Sequence, residues 1–360
     1  MKKLNLSLTF DYELFFGENN GTYSSVLFEP TKMLIDALYE EGVSATFFAD
    51  TCSMVQAEMY NQQDYTNGFS NQLLYMLEKG QDVQLHIHPH WLNSRFKDGK
   101  WIFDDESYRI HTFGFESETD GAGKIIKDGI SSINRTLKPS FPDYQCIAYR
   151  AGGFCIQPHK KLVKALFQNG IRVDSSIAPQ LRSDDQAHAY DFRRKELGKN
   201  WFISSEGDWW EDRRIDKYRL FEVPIATIDK NPIAFSVKRL FHSDSIKLDL
   251  EEKRGTYIGS GSSDKKSKIR NIWNYVSGYN AISLDAYQAG CIKQQLDRMM
   301  QKDAGIGHSY VALIGHPKLV TNRYIENLKC FIEMLKKDVR FEIISIAEIW
   351  RREGASDRNG

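Results

Sequence analysis

The chain has 360 residues, of which 41% are hydrophobic and 12% aromatic, and this is enough for one large core or two modest ones. Its 48 lysines and arginines balance its 48 aspartates and glutamates, so the composition argues against a protein that binds nucleic acid or another polyanion. No run of about 18 apolar residues is present, and we therefore expect no membrane span.

The first segment, MKKLNLSLTFDYE, starts with two lysines but does not continue as a signal peptide. Asn5, Ser7 and Thr9 interrupt its apolar residues, and Asp11 and Glu13 follow before any cleavage site. The five cysteines are scattered and form no CxxC pair, a pattern typical of reduced thiols. We therefore expect a cytoplasmic protein.

Short apolar runs with β-branched and aromatic residues recur along the chain and predict buried strands. They cover residues 4–10, 43–49, 82–87, 146–150, 171–177, 220–228, 310–315 and 341–346. Helical patterns lie between most of them, over residues 30–42, 71–80, 124–137, 159–170, 283–302 and 321–338. This alternation indicates parallel strands joined by crossover helices. We predict an α/β fold, a distorted (β/α) barrel with about seven parallel strands, and the alternative is a doubly wound open sheet.

Two regions depart from this alternation and predict long inserted loops. Residues 92–122 are polar and aromatic, and residues 181–290 contain a single convincing strand among charged, Trp-rich and Gly/Ser-rich pieces. We interpret residues 1–360 as one barrel domain that carries two insertions, at about 92–122 and 181–304. In an α/β barrel, loops at the carboxyl ends of the strands form the site and determine its specificity.

The first strand ends in TFDYE, with Asp11 and Glu13 two positions apart. Alternate residues of a strand share a face, so the two carboxylates are expected to point the same way. A pair of carboxylates at the carboxyl end of a strand suits a metal site or acid–base chemistry.

The third strand ends in HIHPHW, which holds His86, His88 and His90. Pro89 cannot continue the strand's hydrogen bonding, so the chain must turn there. The rings of His86 and His90 can then converge on one ion. Two imidazoles and one carboxylate form a typical catalytic zinc site, although imidazole also binds Fe, Co or Ni. An alternative pair is His86 and His88.

Three later strands also end in titratable residues. Arg150 precedes two glycines in YRAGGF, Asp174 ends the fifth strand, and His316 follows the apolar run before Pro317. A cation among carboxylates holds one of them ionised, and the glycines allow backbone N–H groups to approach an oxyanion. The series along the rim supplies a metal site, a base, an orienting cation and an acid, as metal-assisted hydrolysis requires.

In this order the motifs resemble those of the polysaccharide deacetylases, the NodB-homology or carbohydrate esterase family 4 superfamily. TFDYE is similar to that family's Thr-Phe-Asp-Asp-Gly, HIHPH to His-Ser/Thr-x-x-His, and RAGGF to Arg-x-Pro-Tyr/Phe. VDSS and LIGH are similar to its fourth and fifth motifs. The likeness covers residues 4–180 and 305–350. Tyr12, Ile87 and Gly152 depart from the family pattern.

The resemblance implies a distorted (β/α) barrel with a divalent metal, most often zinc, that removes acetyl groups from sugars. It implies that His86, His90 and Glu13 or Asp11 hold the metal. Asp11 would then act as base beside Arg150, and His316 as acid oriented by Asp174. LHIHPHW and YRAGGF are most similar to branches associated with bacterial surface-polysaccharide gene clusters.

We therefore expect a metal-dependent hydrolase that deacetylates a small-molecule or oligosaccharide substrate. The alternatives are a metal amidase acting on a small non-sugar amide and a non-catalytic sugar-binding barrel. Trp91, Trp209 and Trp210 are candidates for stacking on sugar rings. The sugar, the choice between N- and O-deacetylation and the oligomeric state stay open.

Overall fold

A curled, mostly parallel sheet occupies the centre of the computed structural model, which describes residues 3–103, 107–116, 120–184, 188–195, 199–229, 254–256, 279–302 and 309–357. The strands are β1 (Leu4–Tyr12), β2 (Thr46–Asp50), β3 (Asp82–Ile87), β4 (Arg95–Lys97), β5 (Lys100–Ile102), β6 (Ala148–Ala151), β7 (Val173–Asp174), β8 (Arg182–Ser183), β9 (Tyr190–Asp191), β10 (Trp201–Ser204), β11 (Arg219–Glu222), β12 (Thr227–Asp229), β13 (Tyr279–Ala281), β14 (Ser309–Gly315) and β15 (Phe341–Ile343). The helices are α1 (Glu29–Glu40), α2 (Thr51–Met59), α3 (Gln63–Glu78), α4 (Ala122–Leu137), α5 (His159–Gln168), α6 (Ala289–Lys302), α7 (Asn322–Lys336) and α8 (Ile346–Asp357).

The main sheet has the order β10-β11-β7-β6-β3-β2-β1-β14, and β15 pairs with the first residues of β1. Every pairing in it is parallel except that of β10 with β11. Residues 224–226, which follow β11, also bond to β14. Ala226 N–H donates to the Ala312 carbonyl at 2.8 Å, and Ala312 N–H donates to the Pro224 carbonyl at 2.9 Å. The sheet therefore curls into a distorted (β/α) barrel with parallel β1, β2, β3, β6, β7, β11 and β14, as predicted, and the open-sheet alternative is wrong.

The central strands form here because their residues are apolar on both faces, as a parallel sheet covered by helices requires. All nine residues of β1 are buried, including Leu6, Leu8 and Phe10. The helices present one apolar face to the sheet, and α4 buries Ile126 and Ile133 on it. Polar residues within this core are exceptions that need a partner, and they concentrate at the carboxyl ends of the strands.

The two predicted insertions contain more structure than the sequence indicates. The strands β4 and β5 form a hairpin within residues 92–122. In the second region, β8, β9, β10, β12 and β13 are present besides β11, so the prediction of a single strand there is wrong. Much of that region, including the GTYIGSGSSDKKSK segment after Thr256, lies outside the described residues.

The helix predicted over 283–302 begins six residues later, at Ala289. Its first residues instead join the sheet, because Ser283 bridges to Ile314 and Leu284 N–H donates to the Ile314 carbonyl at 2.8 Å. All five cysteines are described, and none of them forms a disulfide bond. None of the helices in the described part of the chain has the length and apolar character needed to cross a membrane.

Candidate metal and catalytic site

The carboxyl ends of the parallel strands carry a ring of polar side chains, all of them buried except the half-buried His316. Parallel strands all end at the same rim, so residues that are distant in the chain meet there. The members are Asp11, Glu13, Asp50, His86, His88, Arg150, Asp174, Glu222 and His316. The first strand, the third strand and β14 supply the group at its centre.

Glu13 lies at the centre of this ring. Its Oε2 is 3.1 Å from His86 Nε2 and 2.8 Å from His88 Nε2. Asp11 Oδ2 is 3.9 Å from His86 Nε2, so both carboxylates of the first strand reach the same imidazole, as their alternation predicts. Among the described residues, Glu13, His86 and His88 each offer a ligand atom within 4.8 Å of the others. Two imidazoles and a carboxylate are a ligand set that binds zinc.

The orientation of His86 suits a metal ligand. Its Nδ1 lies 2.9 Å from the Arg150 carbonyl, which can only accept, so Nδ1 carries the proton when the ring is neutral and Nε2 keeps its lone pair. Burial lowers the pKa of His86, but Asp11 and Glu13 outweigh burial and raise it to about 9. Burial lowers the pKa of His88 to about 4. Asp11 and Glu13 thus favour a positive charge beside His86 Nε2.

Lys318 holds the other side of the Glu13 carboxylate. Its Nζ donates to Glu13 Oε1 at 2.8 Å and to the Leu14 carbonyl at 2.9 Å. The ammonium group also faces the rings of Phe15 and Phe16, 5.0 and 4.8 Å from their centroids. Burial raises the pKa of Glu13, but Lys318 and the histidines outweigh it and hold that pKa well below its usual value. Glu13 is therefore ionised, with Oε2 directed at the imidazoles.

Arg150 holds the Asp11 carboxylate in place. It donates to Asp11 Oδ1 at 2.7 Å and to Thr9 Oγ1 at 2.8 Å, and to the carbonyl and hydroxyl of Ser175 at 2.8 and 2.9 Å. Burial raises the pKa of Asp11, but the guanidinium outweighs it and lowers the pKa below its usual value. The structure thus brings Arg150 and Asp11 together as the sequence predicts.

His316 is held by Asp285. Its Nδ1 lies 2.7 Å from Asp285 Oδ2, its backbone N–H donates to Asp285 Oδ1 at 2.9 Å, and its Nε2 lies 3.9 Å from Glu13 Oε1. Burial lowers the pKa of His316, but Asp285 outweighs it and raises the pKa. The His316 side chain remains 24% exposed, so a substrate can reach it. The predicted partner, Asp174, does not occupy this position.

Asp174 belongs to a separate carboxyl pair. It is in register with Glu222 of the neighbouring strand, and its Oδ1 accepts from Ser176 Oγ at 2.6 Å. Both side chains are fully buried, and burial together with the partner carboxyl raises the pKa of Glu222 well above its usual value. Burial also raises the pKa of Asp174. Burial and the neighbouring carboxyl thus both favour the protonated form of Glu222.

His90 is not part of the group around Glu13. Its ring stacks on Tyr108, with centroids 4.5 Å apart and planes 2° from parallel, and it packs edge-on against Phe16 at 4.6 Å. The side chain is fully buried, and neither ring nitrogen has a hydrogen-bond partner among the described residues. Burial lowers the pKa of His90 to about 2, so the ring is neutral.

The first glycine after Arg150 makes room for His88. A Cβ on Gly152 would lie 2.6 Å from His88 Nδ1 and 2.7 Å from the Ile87 carbonyl, closer than any side chain tolerates. Gly153 has a φ of 58°, in the left-handed region that favours glycine. The two glycines therefore allow the turn after β6 to lie directly against the His88 ring.

Three carboxylates near the rim are not singled out by the sequence interpretation: Asp50, Asp285 and Glu222. Asp50 ends β2, and its Oδ1 accepts from His88 N–H at 3.2 Å. Burial raises its pKa to about 7. An acidic residue at the end of an apolar strand is the signal that could have identified Asp50 and Glu222, which end β2 and β11. Asp285 lies outside any strand and carries no such signal. Conversely, Trp91 is fully buried and Trp209 is 6% exposed, so packing explains them.

No family model matches the sequence, and no curated protein matches it. Solved structures do match. A proposed polysaccharide deacetylase from Mycobacterium smegmatis is 13% identical with a TM-score of 0.50, covering 99% of this chain and 91% of that chain. Puue allantoinase is 11% identical with a TM-score of 0.49, covering 98% and 90%. A protein from Pseudomonas aeruginosa PAO1, titled a probable polysaccharide deacetylase, is 13% identical with a TM-score of 0.46, covering 97% and 91%. At these identities the likeness is one of fold, and the chain is similar in fold to the Mycobacterium smegmatis protein.

Proposed function

We propose that the protein is a metal-dependent hydrolase that removes an acetyl group from an N- or O-acetylated sugar. The observation that carries this proposal is the convergence of His86 Nε2 and His88 Nε2 on Glu13 Oε2, at 3.1 and 2.8 Å, on the rim of a (β/α) barrel. The similarity of fold to a proposed polysaccharide deacetylase and the order of the sequence motifs both support it.

The residues that would hold the divalent ion are Glu13, His86 and His88, with Asp11 close to His86. This set of two nitrogens and one oxygen fits zinc and leaves further positions open for a substrate. The geometry favours His88 over His90, because His90 is buried against Tyr108 and lies outside the group. When bound, the ion supplies a Lewis acid for the acetyl carbonyl.

Asp11 would accept the proton of the attacking water. Arg150 donates to its Oδ1 and keeps the carboxylate ionised, while its Oδ2 faces His86. The turn at Gly152–Phe154 follows the same arginine, and its backbone N–H groups are our candidates for stabilising the oxyanion.

His316 would protonate the departing amine or alcohol. Asp285 accepts from Nδ1 and fixes the ring, so Nε2 is directed toward the Glu13 side of the site. Asp285 acts through His316 and is therefore a positioning residue. Asp174, which the sequence assigns to this role, pairs with Glu222 instead.

The test combines metal analysis with acetate release from N-acetylated sugars, O-acetylated sugars and sugar nucleotides. Wild type should contain one divalent ion per chain and release acetate, and His86→Ala should lose both. His111→Ala is the matched control. His111 lies in the insertion at 92–122, and its Nε2 forms a hydrogen bond with the Pro158 carbonyl and not with Glu13. A wild type without metal, or equal activity in wild type and His86→Ala, would overturn the mechanism.

The same experiment separates the alternatives. A metal amidase for a small non-sugar amide would bind metal but release no acetate from any sugar of the panel. A sugar-binding barrel without catalysis would release none and would be unaffected by His316→Ala. We further propose a role in assembling a bacterial surface polysaccharide, supported by the resemblance of LHIHPHW and YRAGGF. Deletion of the gene should then change the acetyl content of that polymer.

A further inference from the structure

The loop before β11 holds an apolar side chain out in solvent. Ile215 is 95% exposed, the highest value among the large hydrophobic residues that the structure describes. An isoleucine stabilises a fold by being buried, so this one contributes little to the fold itself. Because single exposed hydrophobic residues are common at protein surfaces, the meaning of Ile215 depends on what holds it and what surrounds it.

Hydrogen bonds hold the loop on both sides of Ile215. Arg213 N–H donates to the Phe202 carbonyl at 3.0 Å, and Arg213 Nε donates to Asp216 Oδ2 at 2.8 Å. The same carboxylate oxygen accepts from Ser204 Oγ at 2.7 Å. The backbone on each side is therefore fixed to β10, and the isoleucine is presented outward by a braced loop.

The neighbouring helix α5 and the turn after it carry only positive charge. Between the start of α5 and the start of β7 the chain has three lysines, one arginine and no acidic residue. Lys161 pairs with Glu116 at 2.6 Å. Lys160, Lys164 and Arg172 form no ion pair with any residue that the structure describes. Lys160 and Lys164 are four positions apart and so share one face of the helix.

Tyr218 joins these cations to the loop. Lys164 Nζ lies 5.4 Å from the centroid of its ring, and Lys217 Nζ lies 5.1 Å from it. The ring of Phe167 packs 5.8 Å from that of Tyr218, and the Arg172 guanidinium lies 4.0 Å from the Phe167 centroid. Lys217 also has no ion pair within the described part of the chain. The helix and the loop thus form one continuous surface.

We call this surface the basic face. It consists of Lys160, Lys164, Arg172, Ile215, Lys217 and Tyr218. The acidic residues nearby do not cancel its charge, since residues 159–172 and 205–219 together contain eight lysines and arginines and five aspartates and glutamates. The whole chain, by contrast, has no net charge. The excess of positive charge is therefore local.

The composition of the basic face favours a lipid surface over a protein partner. Lysine is depleted at protein–protein interfaces, and three of the four cations of this face are lysines. Lysines beside an exposed apolar side chain and an aromatic ring are typical of proteins that bind anionic membranes. There the cations attract the lipid headgroups, and the apolar side chain enters the interface between them.

We propose that the basic face binds the surface of a membrane that contains anionic lipid. Ile215 then enters the headgroup region, and Lys164 and Lys217 contact lipid phosphates on either side of Tyr218. The face lies at the amino end of β11, whereas Glu222 at its carboxyl end belongs to the rim. A bound membrane therefore leaves the rim open to substrate. This inference goes beyond the proposed function and does not depend on it.

The test measures cosedimentation of the full chain with lipid vesicles. The vesicles contain phosphatidylcholine alone, or phosphatidylcholine and phosphatidylglycerol in equal parts. Wild type should bind the anionic vesicles at least about tenfold more tightly than the neutral ones. Added salt should reduce this difference, because it screens exposed charges.

Two sets of substitutions separate the apolar contribution from the charges. Ile215→Asp should weaken binding to the anionic vesicles at least about tenfold, because the burial of the isoleucine is lost. Lys164→Gln combined with Lys217→Gln should weaken it by a similar factor. These side chains are exposed, so the variants should keep the melting temperature of the wild type.

Each set has a matched control. Val339→Asp replaces another apolar side chain, which is 72% exposed but lies beside a lysine, Lys337, that is paired with Glu333. Lys124→Gln combined with Lys337→Gln removes the same charge from two paired lysines on other faces, since Lys124 pairs with Asp128. Both controls should bind the vesicles as wild type does.

Several outcomes would overturn the inference. They are no binding, equal binding to both kinds of vesicle, wild-type binding by Ile215→Asp, and an equal loss of binding in the control variants. Polyglutamate serves as a soluble polyanion in the same experiment. If wild type bound polyglutamate and not the vesicles, the basic face would fit an acidic protein and the inference would be wrong.

Discussion

Lys318 and Glu13 form a fully buried ion pair, with the ammonium nitrogen 2.8 Å from Glu13 Oε1 and the lysine side chain without exposed surface. The two oxygens of Glu13 therefore have different partners, a lysine on one and two imidazoles on the other. Lys318 compensates the charge of the carboxylate and fixes its rotation, so that Oε2 is presented to a cation.

Replacing Lys318 by methionine should destabilise the metal-free protein by about 3–5 kcal/mol, because a buried carboxylate loses its cation. Zinc should restore part of the loss, since the ion supplies positive charge at Oε2. Thermal melts with and without zinc measure both effects. Lys329→Met is the control, because its pair with Glu40 lies at the surface and contributes little to stability. An equal zinc response in Lys318→Met and in a His86→Ala, Lys318→Met double variant would contradict the site.

The histidines of HIHPH should differ in their effect on metal content. The sequence resemblance ranks His86 and His90 as ligands, whereas the geometry favours His86 and His88. We expect His88→Ala to lose the ion and His90→Ala to retain it, with metal per chain measured after dialysis. Loss of metal in His90→Ala with retention in His88→Ala would show that the sequence ranking is right.

Gly152→Ala should weaken metal binding without removing a ligand. The new Cβ would meet His88 Nδ1 at 2.6 Å and displace the ring from Glu13. Groups that position a ligand typically change metal affinity by about 10–100-fold, which a competition titration with a chelator resolves. Gly123→Ala is the matched control, because a Cβ there meets nothing within 4 Å in α4. Unchanged affinity in Gly152→Ala would mean that His88 does not hold the ion.

Glu222→Gln should stabilise the protein increasingly as the pH rises. Burial and Asp174 raise the pKa of Glu222, and Arg150 only partly offsets them. In the unfolded chain Glu222 loses its proton above the usual pKa of 4.5, whereas in the folded chain it keeps the proton to a higher pH. The stability of the wild type therefore falls as the pH rises from 4.5 through the pKa of Glu222 in the folded chain. The glutamine keeps the Ile177 N–H acceptor and needs no proton. Melting temperatures from about pH 5 to about pH 8 should diverge in its favour, and parallel curves would contradict the raised pKa of Glu222.

Asp285→Asn should reduce kcat much more than Asp174→Asn does. Asp285 holds His316 through Nδ1, and general acids contribute about 10²–10⁴-fold to turnover. The asparagine cannot stabilise a protonated ring, so kcat should fall while KM changes little. His316→Ala sets the maximal loss, and the double variant with Asp285→Asn should lose no more. An equal effect of Asp174→Asn would contradict this assignment.

The strand pattern and much of the rim are predictable from the sequence, because a parallel sheet requires apolar runs and places their ends on one edge. Asp11, His86, Arg150 and His316 are identified in this way and meet at that edge. The same rule covers Asp50, but the predicted run over 43–49 stops one residue before it. Local sequence thus identifies the rim well when the end of a strand is read correctly.

The choice of partners across the rim is not local and cannot be predicted in this way. Which imidazole faces Glu13 depends on the turn at Pro89 and on the space that Gly152 leaves beside His88. Asp285 comes two residues after Ser283, which joins the sheet only as an isolated bridge to Ile314. The sequence around it therefore has no alternating strand pattern that would mark Asp285 as a rim residue. Lys318 follows a proline in a short turn, and only its contact with a residue 305 positions away makes it part of the site.

The strands β12 and β13 give the second insertion a modular character. Asp229 and Tyr279 are cross-strand neighbours, so the chain leaves the barrel and returns to it at adjacent points. The β12–β13 pairing therefore holds the two ends of the intervening stretch together. Residues 254–256, which lie within that stretch, brace the loop beside Phe16, while the histidines and carboxylates lie on the strands and their ends. The residues that support the loop beside Phe16 and the residues that form the rim thus belong to separate parts of the chain.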